Sequence, residues 1–189
     1  METHELTSIL GLEEGQVRIA RWTAAWPRLF SVERERIVSA LQDYILDVQH
    51  VGSTSVPNLS AKPVLDIAIA VRNFEEATVC ISPLEALGYS YRGEYGIPRR
   101  HYFTKGSPRT HQIHMFDIAS EDWLRHIAFR DFLIADSDAR IRYESLKITL
   151  ADNCKTREEY QDGKNALIQE LQAIALTEYC KAGLGPILR

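Results

Sequence analysis

His50-Val-Gly-Ser-Thr-Ser-Val-Pro57, followed by Ala61-Lys-Pro-Val-Leu-Asp-Ile-Ala-Ile-Ala-Val71, is the stretch whose reading decides the fold. Residues 64–71 alternate. Leu65, Ile67, Ile69 and Val71 fall on one face, and Val64, Asp66, Ala68 and Ala70 on the other. Period-two alternation of this kind marks a strand. One carboxylate therefore stands mid-strand on a face otherwise paved with small residues. Residues 46–51 read as an earlier strand, and Gly52-Ser53-Thr54-Ser55 as the turn that ends it.

Outward from this pair, residues 18–45 read as helical. Trp22, Trp26, Phe30, Ile37 and Leu41 recur at helical intervals, with an interruption at Pro27 because proline lacks an N–H. Residues 73–87 read as a helix ending at Gly88, residues 89–104 as hairpin strands, and His111–Phe116 as a further alternating strand. Three helices follow. Ser120 before Glu121 and Asp122 resembles a helix start, and Thr156-Arg-Glu-Glu159 a capping box before the stripe Tyr160, Leu167, Leu171, Ile174. This order predicts an α+β fold: a small mixed β-sheet covered by helices, with a helical C-terminal part.

The chain of 189 residues suits one ordinary domain, residues 1–189, with 1–17 as a leader and 183–189 as a frayed tail. Hydrophobic residues at 45% and charged residues at 25% exclude a disordered or fibrous chain. A net charge of −4 argues against general nucleic-acid binding. No apolar run is long enough for a membrane helix, and the opening residues, with Glu2, Glu5, Glu13 and Glu14, do not look like a signal peptide. Cys80, Cys154 and Cys180 are scattered and odd in number, which suits reduced thiols in a cytoplasm.

Three features carry candidate chemistry. Gly52, Ser53 and Thr54 offer backbone N–H groups and hydroxyls to phosphate oxygens, or else form a plain strand-ending turn. Asp66 is a carboxylate among apolar neighbours. Such a group needs a divalent cation, backbone N–H groups or a cation such as Lys62. Residues 92–114 hold Arg92, Arg99, Arg100, Lys105 and Arg109 against Glu94 alone, a local charge of +4 in a chain whose remainder sums to −8. A basic island in an acidic chain suits a small polyanion, or is a solvated hairpin. His114, on the neighbouring strand, is a candidate metal ligand beside Asp66, or a structural or proton-carrying histidine. Lys147 shares a helix face with Tyr143 and Leu150, and Arg130 shares one with Trp123, Ile127 and Ile134. Each either points inward to an anion or snorkels to solvent.

Together with Leu87-Gly-Tyr89, His111-Gln-Ile-His114, Phe129-Arg-Asp131 and Tyr143-Glu-Ser-Leu-Lys147, the two opening segments resemble the signature of the GrpB family, also called UPF0157, over residues 18–177. The resemblance implies a nucleotidyltransferase-like fold. It implies a Gly-Ser pair that opens a helix and holds a nucleoside triphosphate, and strand carboxylates that bind two divalent metals. Gly52 and Ser53 match the pair, and Asp66 matches the first carboxylate. The second carboxylate position is Ala68, and the later strand offers Gln112 and His114, with Asp117 just past its end.

The leading expectation is metal-dependent transfer of a nucleotidyl group from a nucleoside triphosphate to a small acceptor. Mg²⁺ or Mn²⁺, as one ion or two, would sit on Asp66 and His114. Asp66, His114 and Lys147 would be catalytic. Gly52, Ser53, Thr54, Lys62, Arg99, Arg100 and Arg130 would hold phosphate. The alternative, favoured by Ala68, is a catalytically degenerate module that binds a nucleotide, a coenzyme or a protein partner. Family members fused to dephospho-coenzyme A kinase suit that role. A third reading is a metal-dependent hydrolase of phosphate esters.

Overall fold

The computed structural model describes residues 9–183. The alternating apolar segments form a five-stranded mixed sheet: β1 (Asp47–Val51), β2 (Leu65–Val71), β3 (Tyr89–Tyr91), β4 (His101–Lys105) and β5 (His111–Asp117). Its order is β1-β2-β5-β4-β3. β2 and β5 run parallel, and the other neighbours pair antiparallel. The predicted α+β class and mixed sheet are therefore present.

Register decides what each face carries. Ile67, Ile69, Ile113, Met115 and Phe103 point to one side and are fully buried with Val48 and Tyr89. Helix α1 (Ala25–Leu41) covers that side with Ile37 and Leu41, and the short helix α2 (Ile81–Ala86) adds Leu84. On the other face, Val51, Asp66, Gln112 and Thr104 lie in one cross-strand row. Gln49, Ala68, His114 and Tyr102 lie in the next. Helices α3 (Glu121–Ala135), α4 (Ser137–Asn153) and α5 (Arg157–Lys181) pack together around Phe132, Leu133, Tyr143 and Leu171 and close part of this second face. Ile127 of α3 meets Val51 and Ala68.

Two of the three C-terminal helices start at the caps the sequence predicts, Ser120 and Thr156, and Asp136 caps the third. Ser120, Asp136 and Thr156 each accept a backbone N–H three residues on, at 3.1, 2.9 and 3.1 Å. Glu159 reaches back to the Lys155 N–H at 2.8 Å. The expected helix over 18–45 begins only at Ala25, leaving Pro27 in its first turn, where a missing N–H costs nothing. The expected helix over 73–87 is a 3₁₀ turn, Glu76–Cys80, running into α2.

Residues 9–12 of the expected leader pack against the body and residues 13–16 are exposed, while 1–8 and 184–189 lie outside the described residues. Leu10 and Leu12 are buried, and Leu12 forms a bridge to Arg109. Gly11 donates its N–H to the Pro63 carbonyl at 2.9 Å. The hydrophobic residues Ile9, Leu10 and Leu12 supplied the driving force that acidic Glu13 and Glu14 masked in the sequence. Leu12→Ala is expected to lower the unfolding free energy by about 2 kcal/mol or more in urea denaturation, as burial requires. A change near zero would mark the segment as an unpacked leader.

Candidate functional site

Strand β1 ends at a point where the chain must turn back over the second face of the sheet. Gly52 makes that turn with φ 67° and ψ −175°, a region open essentially to glycine alone. A one-turn 3₁₀ helix, Ser53–Ser55, follows, in place of the α-helix that the resemblance implied. Thr54 is buried, and its Oγ1 lies 2.9 Å from His50 Nε2. Burial holds His50 down to about 4, so its ring is neutral near pH 7. Ser55 Oγ donates to the Gly52 carbonyl at 2.6 Å. The turn is thus pinned from within, and Thr54 spends its hydroxyl on the pinning.

Asp66 lies directly beneath this turn. A Cβ placed on Gly52 would stand 2.5 Å from Asp66 Oδ2, so the backbone approaches the carboxylate as closely as a missing side chain allows. Asp66 Oδ1 is 3.3 Å from His114 Nε2. His114 Nδ1 in turn is 3.3 Å from Arg100 Nη1. A guanidinium only donates, so Nδ1 accepts and Nε2 carries the proton that points at Asp66.

A cavity of about 700 Å³ opens over Asp66. Its walls carry Lys62, Arg92, Arg109, Lys147, Arg157 and Lys164, against Glu13, Glu14 and Asp66. Burial pushes Lys62 down to about 7, helped by Lys164 and Arg157. Burial likewise pushes Lys147 to about 7 and Lys164 to about 8. Asp66 is the nearby charge that opposes the shift at Lys62 and Lys164. Lys62 Nζ is buried without a hydrogen-bond partner. Lys62 and Lys164 each place Nζ 4.3 Å from the centre of the Tyr160 ring. Lys147 Nζ donates to the Ser60 carbonyl, and Glu144, on the same helix, accepts the Ser60 N–H at 2.9 Å.

The fold brings six of the sequence-based candidates, Gly52, Ser53, Thr54, Lys62, Asp66 and Lys147, to the lining of this cavity. Three expected phosphate ligands stand elsewhere. Arg99 is exposed and pairs with Glu75 at 2.6 Å, over the Phe74 ring. Arg100 is buried, and its Nη2 donates to the carbonyls of Glu94 and Tyr95 at 3.1 and 2.8 Å. Arg130 ties α3 to the sheet edge, with Nη1 donating to Gln49 Oε1 at 2.7 Å and to the His50 carbonyl at 3.1 Å. Each guanidinium is drawn to fixed acceptors nearer its own backbone.

The donor set does not fit the two-metal site either. Ala68 occupies the second carboxylate position, and Gln112 stands opposite Asp66 on β5. His114 offers Asp66 a proton rather than a lone pair. Among the described residues no group of three His, Cys, Asp or Glu side chains is placed to hold a metal ion. Two hard cations need more anionic oxygen than one carboxylate provides.

A family model described as GrpB protein matches residues 16–173. The chain belongs to the GrpB family. A UPF0157 protein of Bacillus subtilis is 36% identical over 156 residues, which is 82% of this chain and 46% of that protein. This chain thus spans about half the length of that relative. A UPF0157 protein of Pseudomonas aeruginosa is 34% identical, over 88% of this chain and 72% of that one. A crystal structure titled as the conserved protein GrpB from Enterococcus faecalis superposes with a TM-score of 0.81 at 34% identity, over 86% of this chain and 99% of that chain. The α+β architecture with its mixed sheet is close to that of this GrpB structure. Among the described residues no helix is long and apolar enough to cross a membrane.

Lys164, Arg157 and Tyr160 belong to the site but not to the sequence-based set. Their signal was present: Tyr160, Lys164, Leu167 and Leu171 follow intervals of 4, 3 and 4, so Lys164 sits on the buried stripe of α5. A cation on an apolar stripe needs a reason. Gly52→Ala is expected to cost about 2 kcal/mol or more in urea denaturation, since it adds both backbone strain and a clash with Asp66. A loss below about 0.5 kcal/mol would mean that the turn does not rest on the carboxylate.

Proposed function

We propose that this GrpB-family protein binds a small polyphosphorylated anion of the nucleotide or coenzyme class in the cavity over Asp66. The observation that carries the reading is the set of six cations against three carboxylates around one opening, among them buried Lys147 and Lys164 and half-buried Lys62 with its Nζ enclosed and unpartnered. Burying cations without counter-charge is unfavourable, and a polyphosphate supplies that charge. The Gly52 turn matches the phosphate-holding position that the nucleotidyltransferase-like resemblance implies, and half-buried Ser53, which lines the cavity, adds a hydroxyl. Lys62 and Lys164, set against the face of Tyr160, are the charges best placed to move onto phosphate oxygens. Lys147 holds the Ser60 loop and lends the field of its charge.

A divalent ion enters this reading only as a counter-ion that the ligand itself brings, with Asp66 as the one strand carboxylate beside it. Nucleotidyl transfer is the second reading, favoured by the approach of the Gly52 turn to the Asp66 carboxylate. Radiolabelled triphosphate incubated with candidate acceptors separates the two, because a binding module leaves the label in the triphosphate.

Calorimetric titration with nucleoside triphosphates is the direct test. Micromolar binding is expected in the wild type, weakened tenfold or more in Lys164→Met and in Lys62→Met. A folded wild type that gives no heat with any of them would contradict the proposal.

The lysines also set a pH dependence. Their pKa values of about 7 to 8 lie below the ordinary lysine value, so the free cavity is partly discharged just above neutrality. A bound polyanion favours the charged form and raises those pKa values again. Binding should therefore take up protons above about pH 7, and affinity should fall as pH rises from 7 to 9. Titrations in two buffers of different ionisation enthalpy measure the uptake. Proton release, or affinity that rises over that range, would contradict it.

A further inference from the structure

Tyr95 stands out among the cavity-lining residues because it is 64% exposed and yet fixed. Its backbone takes φ 46°, where a bulky residue is strained. That conformation is held from below. Buried Arg100 donates to the Tyr95 carbonyl at 2.8 Å, and to the preceding Glu94 carbonyl through Nη2 at 3.1 Å and Nε at 3.2 Å. The Arg100 guanidinium also lies 4.6 Å from the ring centre of Tyr102. Tyr102 is 4% exposed, and the Tyr95 ring stacks on it with centroids 5.1 Å apart and planes 22° from parallel. One face of Tyr95 is thus spent on Tyr102, and the high exposure leaves the other free at the cavity.

A strained, buttressed side chain with an open aromatic face is arranged for a contact that the free protein does not make. The row from Asp66 through Gln112 to Thr104 crosses two strand spacings, about 10 Å, and Tyr102 lies two residues along β4 from Thr104. That span suits the ribose and phosphate chain between a base and its terminal phosphates. Gln112 and Thr104 also line the cavity and offer neutral hydrogen-bonding groups along the way. Lys62 and Lys164 lie instead against Tyr160, on the helical side, while Arg92 donates to Thr104 Oγ1 at 3.2 Å beside the row.

We propose that Tyr95 is a stacking platform for a planar heterocyclic base, so that the cavity selects a nucleoside polyphosphate over a bare polyphosphate. This rests on the polyphosphate reading above and adds the identity of the ligand's other end. Stacking on an aromatic side chain tolerates any base, so the selection is for the presence of a base rather than for one base.

The test compares ATP, CTP and inorganic tripolyphosphate on the wild type, Tyr95→Ala and Tyr95→Trp. The wild type is expected to bind both nucleotides at least tenfold more tightly than tripolyphosphate. Tyr95→Ala should remove most of that advantage while leaving tripolyphosphate affinity within twofold, and Tyr95→Trp should keep it. Nucleotide affinity unchanged in Tyr95→Ala would overturn the platform and leave polyphosphate binding standing. Equal losses for all three ligands would overturn it by making Tyr95 a structural residue. A wild type that binds none of the three would overturn the platform and the polyphosphate reading together.

Discussion

The close approach of the Gly52 backbone to the Asp66 carboxylate is the contact on which the arrangement depends. A half-buried carboxylate near the start of β2 is costly unless its charge is answered. Here the answer has three parts: the turn packed on one oxygen, the His114 N–H directed at the other, and the nearby charges of Lys62 and Lys164. The turn can take its place only because residue 52 lacks a side chain. Its stability is then secured by the Thr54–His50 contact on the opposite side of the strand end.

The same contact shapes the cavity. With Asp66 held low, the space above it is bounded by the sheet on one side and by α4 and α5 on the other. Those helices contribute Lys147 and Lys164 from their buried faces. Three carboxylates cannot neutralise six cations, so the cavity keeps an excess of positive charge in a protein whose net charge is −4. Charge of the opposite sign to the rest of the molecule, gathered at one opening, concentrates anions there. The absence of a second carboxylate at Ala68 strengthens that excess, and it also weakens the case for two-metal chemistry.

Much of this was legible in the sequence. The alternation of residues 64–71 fixed which face Asp66 shares with Ala68, and the caps at Ser120 and Thr156 reflect a local rule that tertiary packing does not override. The 4 and 3 spacing of Tyr143, Lys147 and Leu150 leaves Lys147 either inward or snorkelling, and the fold buries it. Arginines were harder to place. Arg99, Arg100 and Arg130 looked equivalent as cations, but a long flexible guanidinium goes to whichever acceptors the fold supplies, and Glu75, the Glu94–Tyr95 carbonyls and Gln49 are set by loops and register. Residues 9–12 of the expected leader pack on the body, Ile9 and Leu10 beside Trp26, Ala61 and Leu65 and Leu12 through a backbone bridge to Arg109, a short apolar segment that the adjoining acidic residues hide in the sequence. Tyr95 left no periodic trace, since it belongs to an irregular turn.

A crystal structure of the protein grown with a non-hydrolysable nucleoside triphosphate analogue tests the central claim most directly. The account predicts phosphate oxygens within hydrogen-bonding distance of Lys62 and Lys164, beside the Gly52 turn, in the cavity over Asp66. An analogue bound elsewhere, with both lysines still turned to Tyr160, would contradict it.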